Sequence, residues 1–170
     1  MITGAVLSAD EDYRYSLWRH WGAGAERVVF VMLNPSTADA DEDDPTIRRC
    51  VSFGQREGFD GLEVRNLYAL RATDPKVVER ALGALPEADV RGPDNDWHWE
   101  RVLSLSGLVI LGWGAKPFAT LSETQETMLK LFERRGGRLT CLGLTKDGRP
   151  GHPLYLKSDA PLRAYPWSSP

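Results

Sequence analysis

Arg27-Val-Val-Phe-Val-Met-Leu-Asn-Pro-Ser-Thr37 is the stretch that decides the fold. Val28 to Leu33 is an unbroken apolar run rich in β-branched residues, with no polar alternation. That pattern predicts a strand covered on both faces, as in a parallel sheet with helices above and below. A buried helix gives similar runs, but this one is short and stops at Asn34-Pro35. Pro35 lacks an N–H donor and biases Asn34 away from the helical region. The strand is therefore expected to end here, with Asn34 just past its C-terminal edge, where open α/β sheets bind ligands. A carboxamide there, followed by the hydroxyls of Ser36 and Thr37, reads as a site.

Upstream, Ala5–Ser8 reads as a short strand, Asp10-Glu11-Asp12 as a polar turn and Tyr13–Trp21 as an alternating strand. Together they predict an N-terminal β-hairpin at the sheet's margin. Gly22-Ala23-Gly24 reads as a flexible link into the central strand. Downstream, residues 39–44 are the most acidic segment, and Asp44-Pro45-Thr46 reads as a helix start. That helix is expected to run from Thr46 to about Glu57, with Ile47, Cys50, Val51 and Phe53 inward and Gly58 closing it. Arg48 and Arg49 lie near its beginning, facing either the acidic loop or a phosphate.

Leu62–Leu70 is the second apolar strand, and it contains another Asn, Asn66. Asp74-Pro75 starts a helix over Lys76–Leu85. A helix from about Asp96 to Ser106 follows, with Trp97, Val102 and Leu105 among its apolar residues. Leu108–Leu111 is a third strand, ending in Gly112-Trp113-Gly114. Thr120–Arg134 is a periodic helix with Leu121, Met128, Leu131 and Phe132 as core residues, and Leu139–Leu144 is a fourth strand. The loop after it carries basic residues and His152. The expectation is a single domain over residues 1–170, a three-layer α/β/α sandwich on a central, mainly parallel four-stranded sheet.

The chain has 170 residues, with 24 acidic against 21 basic and a net charge of −3, so no global basic field marks it as a nucleic-acid binder. Charge distribution, and hence a local basic groove, is left open by the sum. No apolar run is long enough to cross a bilayer and the N-terminus lacks a signal-peptide pattern, so the expected location is cytoplasmic. Cys50 and Cys141 form neither a metal spacing nor a disulfide framework and are expected as buried thiols. The acidic segment lacks the alternating ligands, bend Gly and terminal Glu of a metal loop. No metal or cofactor is expected. Ser36 lacks a nucleophile elbow, and no phosphate-loop signature occurs.

If the sheet is parallel, Asn34, Asn66, Gly112–Gly114 and the His152 loop gather at one edge. At these positions the chain resembles the uracil-DNA glycosylase superfamily. Asn34-Pro35 resembles its first motif, whose Asp or Asn positions the attacking water. Asn66 is similar to the Asn that reads the pyrimidine edge, which an amide can do with both its atoms. Leu111-Gly112-Trp113-Gly114 resembles the third-strand segment. Gly151-His152-Pro153-Leu154 resembles the loop whose His stabilises the leaving base, with Leu154 where that superfamily has Ser. The whole sequence also resembles a bacterial and phage family known only as a domain of unknown function, through Leu33–Asp39, Asp44–Cys50, Asn66–Pro75 and His152–Leu156.

The resemblance implies cleavage of an N-glycosidic bond in DNA, with DNA as partner and the base flipped into a pocket. The implied catalytic residues are Asn34 and His152. Asp44 is either their carboxylate or only a helix cap. Asn66, Pro35, Ser36 and Trp113 would hold the base. Thr37, Arg48, Lys116, Lys146 and Arg149, with Lys157 nearby, would hold the DNA backbone. Asn34 in place of Asp and a loop unlike that of uracil enzymes imply a modified or bulky pyrimidine. Two alternatives stand beside this: a non-catalytic nucleotide or nucleic-acid binding module, and an enzyme acting on free nucleotides.

Overall fold

The apolar run forms a strand at the middle of a sheet. The computed structural model describes residues 1–102, 108–115 and 121–167. Chain order is β1 (Ile2–Leu7), β2 (Arg14–His20), β3 (Arg27–Met32), α1 (Pro45–Arg56), β4 (Gly61–Asn66), α2 (Pro75–Ala84), α3 (Glu87–Arg91), α4 (Asn95–Val102), β5 (Leu108–Leu111), α5 (Leu121–Arg134), β6 (Arg138–Cys141), a single 3-10 turn (Pro153–Tyr155) and β7 (Arg163–Ala164). The strands make one mixed sheet in the order β1-β2-β4-β3-β5-β6-β7. β4, β3, β5 and β6 are mutually parallel.

Successive side chains of a strand point to opposite faces. Val29, Val31 and Leu33 enter a core with Val78, Trp99, Met128 and Phe132 from α2, α4 and α5. Val28, Phe30 and Met32 enter a second core with Ile47, Cys50 and Phe53 of α1. Both faces are dry, so both sets of alternating positions are apolar, which is why the sequence shows a continuous run. The result is three layers, with α1 on one face and α2–α5 on the other. Cys50 and Cys141 are both buried and free.

Among the described residues the sheet has seven strands, where a four-stranded sheet with an N-terminal hairpin was expected. The parallel four are its centre, and antiparallel strands flank both sides. The expected N-terminal hairpin lies at the sheet's margin, and it joins the sheet because β2 pairs antiparallel with β4, Leu17 opposite Val64. At the far edge, Arg163–Ala164 pairs with β6, a two-residue match too short to leave a periodic pattern. α3 was also unforeseen, since one turn cannot show helical periodicity. The Gly22–Gly24 link is pinned rather than slack. Asp60 accepts from the N–H of Gly24 and of Glu26 at 3.1 and 3.3 Å, and a Cβ on Gly22 would sit 2.0 Å from its carboxylate. The expected extension of α4 to Ser106 with Leu105, the Thr120 helix start and the side chain of Leu121 lie outside the described residues. Among the described residues, no helix is long and apolar enough to cross a membrane.

Phe30 is fully buried between β3 and α1. Phe30→Ala is expected to lower unfolding free energy by about 3–5 kcal/mol, measured by urea denaturation.

Candidate functional site

Four parallel strands end on one side of the molecule, and a cleft of about 680 Å³ opens there. Its floor is the end of β3, residues Met32 to Asn34. Its walls come from Ser36–Thr37, the beginning of α1, Ala72–Pro75, Trp113–Ala115 after β5, and the loops after β6. It lies where the C-terminal edge of a parallel sheet meets ligands in open α/β folds.

Asn34 is held by its amide nitrogen, which donates to the carbonyls of Pro35 at 3.1 Å and Ala72 at 2.8 Å. Both amide hydrogens are therefore occupied, and Oδ1 is the polar atom left to act as an acceptor. Asp44 caps α1, its Oδ1 accepting from the Ile47 N–H at 2.9 Å. Among the described residues no hydrogen bond reaches its Oδ2. The cap and the cleft wall are thus the same residue.

His152 precedes the 3-10 turn, and its Nδ1 accepts from the Leu154 N–H at 3.3 Å. The neutral ring then carries its proton on Nε2, available as a donor. Glycines bring this loop in. A Cβ on Gly112 would lie 2.8 Å from the Pro153 ring, so only glycine lets the turn pack on the end of β5. Gly114, at φ +82°, donates its N–H to Pro150 O at 2.9 Å. Burial lowers the His152 pKa below the ordinary value, and the charge of Asp44 opposes this only in part.

Of the residues implied by the resemblance, Asn34, Asp44, His152, Ser36, Thr37 and Trp113 all line the cleft. Asn66 does not. The β4–β3 pairing continues past it, with Tyr68 N–H on Leu33 O, so Asn66 stops short of the edge. Its Oδ1 accepts from Arg14 at 3.4 Å, and its carbonyl takes Asn95 Nδ2 and Trp99 Nε1. It is buried behind the wall, where no base edge reaches it. Pro35 is also buried outside the lining, its carbonyl accepting from Ala72 N–H. Arg48 turns away to the Asp43 carbonyl, and Arg49 donates to Leu156 O at 2.5 Å, holding the tail on α1. Lys146, Arg149 and Lys157 do not line the cleft either. Lys116 lies outside the described residues.

The sequence reading missed Arg14. This first residue of β2 is 2% exposed yet lines the cleft. Its sequence signal is slight, a charged residue at the head of an aromatic-rich alternating strand. Nη1 donates to Ala38 O at 2.6 Å, and burial pushes the guanidinium pKa down to about 10. Arg19, further along the same strand, meets Asp43 at 2.7 Å and the carbonyl of Asp39 at 2.7 Å. Together the two arginines fold the acidic loop onto the sheet. Among the described residues, no cluster of three or more His, Cys, Asp or Glu is placed to hold a metal ion.

The pH behaviour follows from the imidazoles. His98, stacked on Tyr15 at 4.9 Å, has its pKa pushed down to about 4 by burial, with Arg65 adding to the effect. In the unfolded chain both rings titrate near about 6.5. Depressed folded values mean that the unfolded state takes protons first. Their stability contribution is therefore complete above pH of about 6.5 and is lost as pH falls through the folded pKa values. NMR titration is expected to show both rings neutral at pH of about 7, with His98 titrating near 4.

A family model described as "Protein of unknown function (DUF1643)" matches residues 14–154. No curated protein and no solved structure matches the chain.

Proposed function

The chain belongs to the DUF1643 family, and from the cleft, lined mostly by the matched span, we propose that it hydrolyses the N-glycosidic bond of a modified pyrimidine nucleotide in DNA, leaving an abasic site. The observation that carries this reading is the meeting in one cleft of Asn34 and Asp44, from the two ends of the β3–α1 connection, with His152, more than a hundred residues away. In this reading, a water donates a hydrogen bond to Asn34 Oδ1 and attacks the anomeric carbon. The C1′–N bond breaks, and its electron pair leaves with the base. The water's proton passes to Asp44 Oδ2, because a carboxamide cannot act as general base. The Nε2–H of His152 donates to the negative charge growing on the base, the kind of fixed donor that supplies much of the rate enhancement in enzymes. Trp113 forms an aromatic wall for the base. The resemblance of the motifs to uracil-DNA glycosylases supports the reading from the sequence side.

The cleft's size supports a bulky base. Its volume of about 680 Å³ falls well inside the roughly 300–1,000 Å³ range of drug-sized ligand pockets. A bare pyrimidine would leave much of it filled with water.

Purified protein should release base from duplexes carrying hydroxymethylcytosine or glucosylated hydroxymethylcytosine faster than from uracil DNA, read as strand breaks after alkali. Asn34→Ala and His152→Ala are each expected to slow this by about 10²-fold or more. No abasic site on any of the three substrates overturns the reading.

Asp44 has its own test. Asn caps helices about as well as Asp. Asp44→Asn should therefore keep stability within about 0.5 kcal/mol while removing activity. Full activity in this variant would leave Asp44 as a cap alone.

One observation favours the second reading, an enzyme on free nucleotides. Arg14 and His152 are the only basic side chains among the described residues lining the cleft, and Asp44 is on the same wall. Mass spectrometry of nucleotide mixtures after incubation separates the two: free base from monomers with intact oligonucleotides selects the second.

A further inference from the structure

Arg14 is a buried cation without a carboxylate in contact among the described residues. Charges so deep in proteins are ordinarily paired, because an isolated one is costly to remove from water. The nearby acids do not pair with it, although the charge of Asp44 offsets part of the effect of burial on its pKa. Asp44 Oδ1 holds the Ile47 N–H, Asp39 Oδ1 holds the N–H groups of Asp41 and Glu42 at 2.9 Å each, and Asp43 pairs with Arg19. Among the described residues Arg14 itself donates only to neutral acceptors, Ala38 O and Asn66 Oδ1. Its buried Nε has no hydrogen-bond partner. A guanidinium has five N–H donors, so its donor capacity is largely unused.

A second donor on the same cleft is in the same condition. Trp113 is 2% exposed, and its Nε1 has no partner among the described residues. Two elements far apart in the chain thus line one volume with residues that each hold a buried, unanswered donor, and one of them carries a full positive charge. Fork-shaped donors of this kind fit the paired oxygens of phosphate or carboxylate.

We propose that Arg14 is a ligand-binding residue of the cleft, the counter-ion for an oxyanion, phosphate or carboxylate, on the molecule the cleft takes. Trp113 Nε1 donates to a second acceptor on the same molecule. The proposal rests on the cleft being the working site, as in the preceding section, but not on any bond being broken there. The oxyanion has two possible sources. It is the nucleotide's own phosphate, or an acidic substituent on the base.

The test is calorimetric titration of the whole protein with three probes: deoxycytidine, deoxycytidine 5′-monophosphate and 5-carboxydeoxycytidine. At least one anionic probe should bind about tenfold or more tighter than deoxycytidine, and its affinity should fall as salt rises from about 0.05 to about 0.5 M. Preference for the monophosphate assigns the phosphate, and preference for the carboxylated nucleoside assigns the base. Arg14→Gln should remove about tenfold or more of the anion's affinity and leave deoxycytidine unchanged, with Arg14→Lys intermediate.

Equal binding of neutral and anionic probes overturns the proposal, as does no binding of either anion at millimolar concentration. Arg14→Gln binding the anions as the native protein does also overturns it. Arg14 holds the Ala38 loop, so the Gln variant is first checked for folding. Where it does not fold, the anion preference of the native protein and its salt dependence decide. Arg14-dependent anion binding with no abasic sites in any DNA removes the glycosylase reading and keeps this one. Abasic sites formed equally well by Arg14→Gln, with unchanged binding, does the reverse.

Discussion

The whole site depends on β3 having no wet face. With Val29 and Val31 packed under α2–α5 and Val28 and Phe30 under α1, polar chemistry can enter only where the strand ends. Pro35 marks that point by removing a donor that a continuing ladder would need. The turn it forces lets Asn34 fold its amide back on Pro35 O and Ala72 O, so the side chain is fixed by backbone rather than by other side chains. The loop with His152 reaches the same point because Gly112 has no Cβ to keep Pro153 away. One constraint, a strand buried on both sides, therefore decides which residues can meet.

A second constraint is electrostatic. Five of the seven residues from Asp39 to Pro45 would suggest, by sequence, a solvated acidic lip, since four are Asp and one is Glu. The fold answers that charge from beneath. Arg19 is 1% exposed and binds Asp43 together with the carbonyls of Asp39 and Glu42, while Arg14 takes Ala38 O. The loop's backbone and one of its carboxylates are tied to β2. Its acidity is thereby partly balanced by cations that no helical or strand pattern distinguishes from packing residues.

What the sequence disclosed and what it hid follow the same division. The four parallel strands and most helices were legible because each writes its environment into a local pattern: continuous apolar runs for β3 and β5, Asp-Pro starts for α1 and α2. Asn34, Asp44 and His152 were legible because each sits at such a punctuation mark. Asn66 was misplaced because the register of β4 against β3, which carries pairing on to Tyr68, is a property of two segments together. β7 is two residues long, and its pairing depends on β6 being an edge. Arg14 was hidden for a different reason. Nothing local separates a buried arginine from an exposed one, and its burial is produced by Ala38, Asn66 and the cleft wall, all distant in sequence.

The two readings of Asp44, cap and carboxylate, are compatible on physical grounds. An N-cap needs one oxygen on one N–H, and Oδ1 meets the Ile47 N–H at 2.9 Å. That bond fixes the torsion of the side chain and so fixes where Oδ2 lies, with no further protein group required to orient it. A helix start is thus a ready means of holding a carboxylate rigidly at a sheet edge. Stability alone cannot reveal whether the second oxygen does chemistry, because the capping energy is the same in either case. What separates the roles is the difference between an amide and a carboxylate at this position: both accept from Ile47 N–H, and only one can take a proton from water.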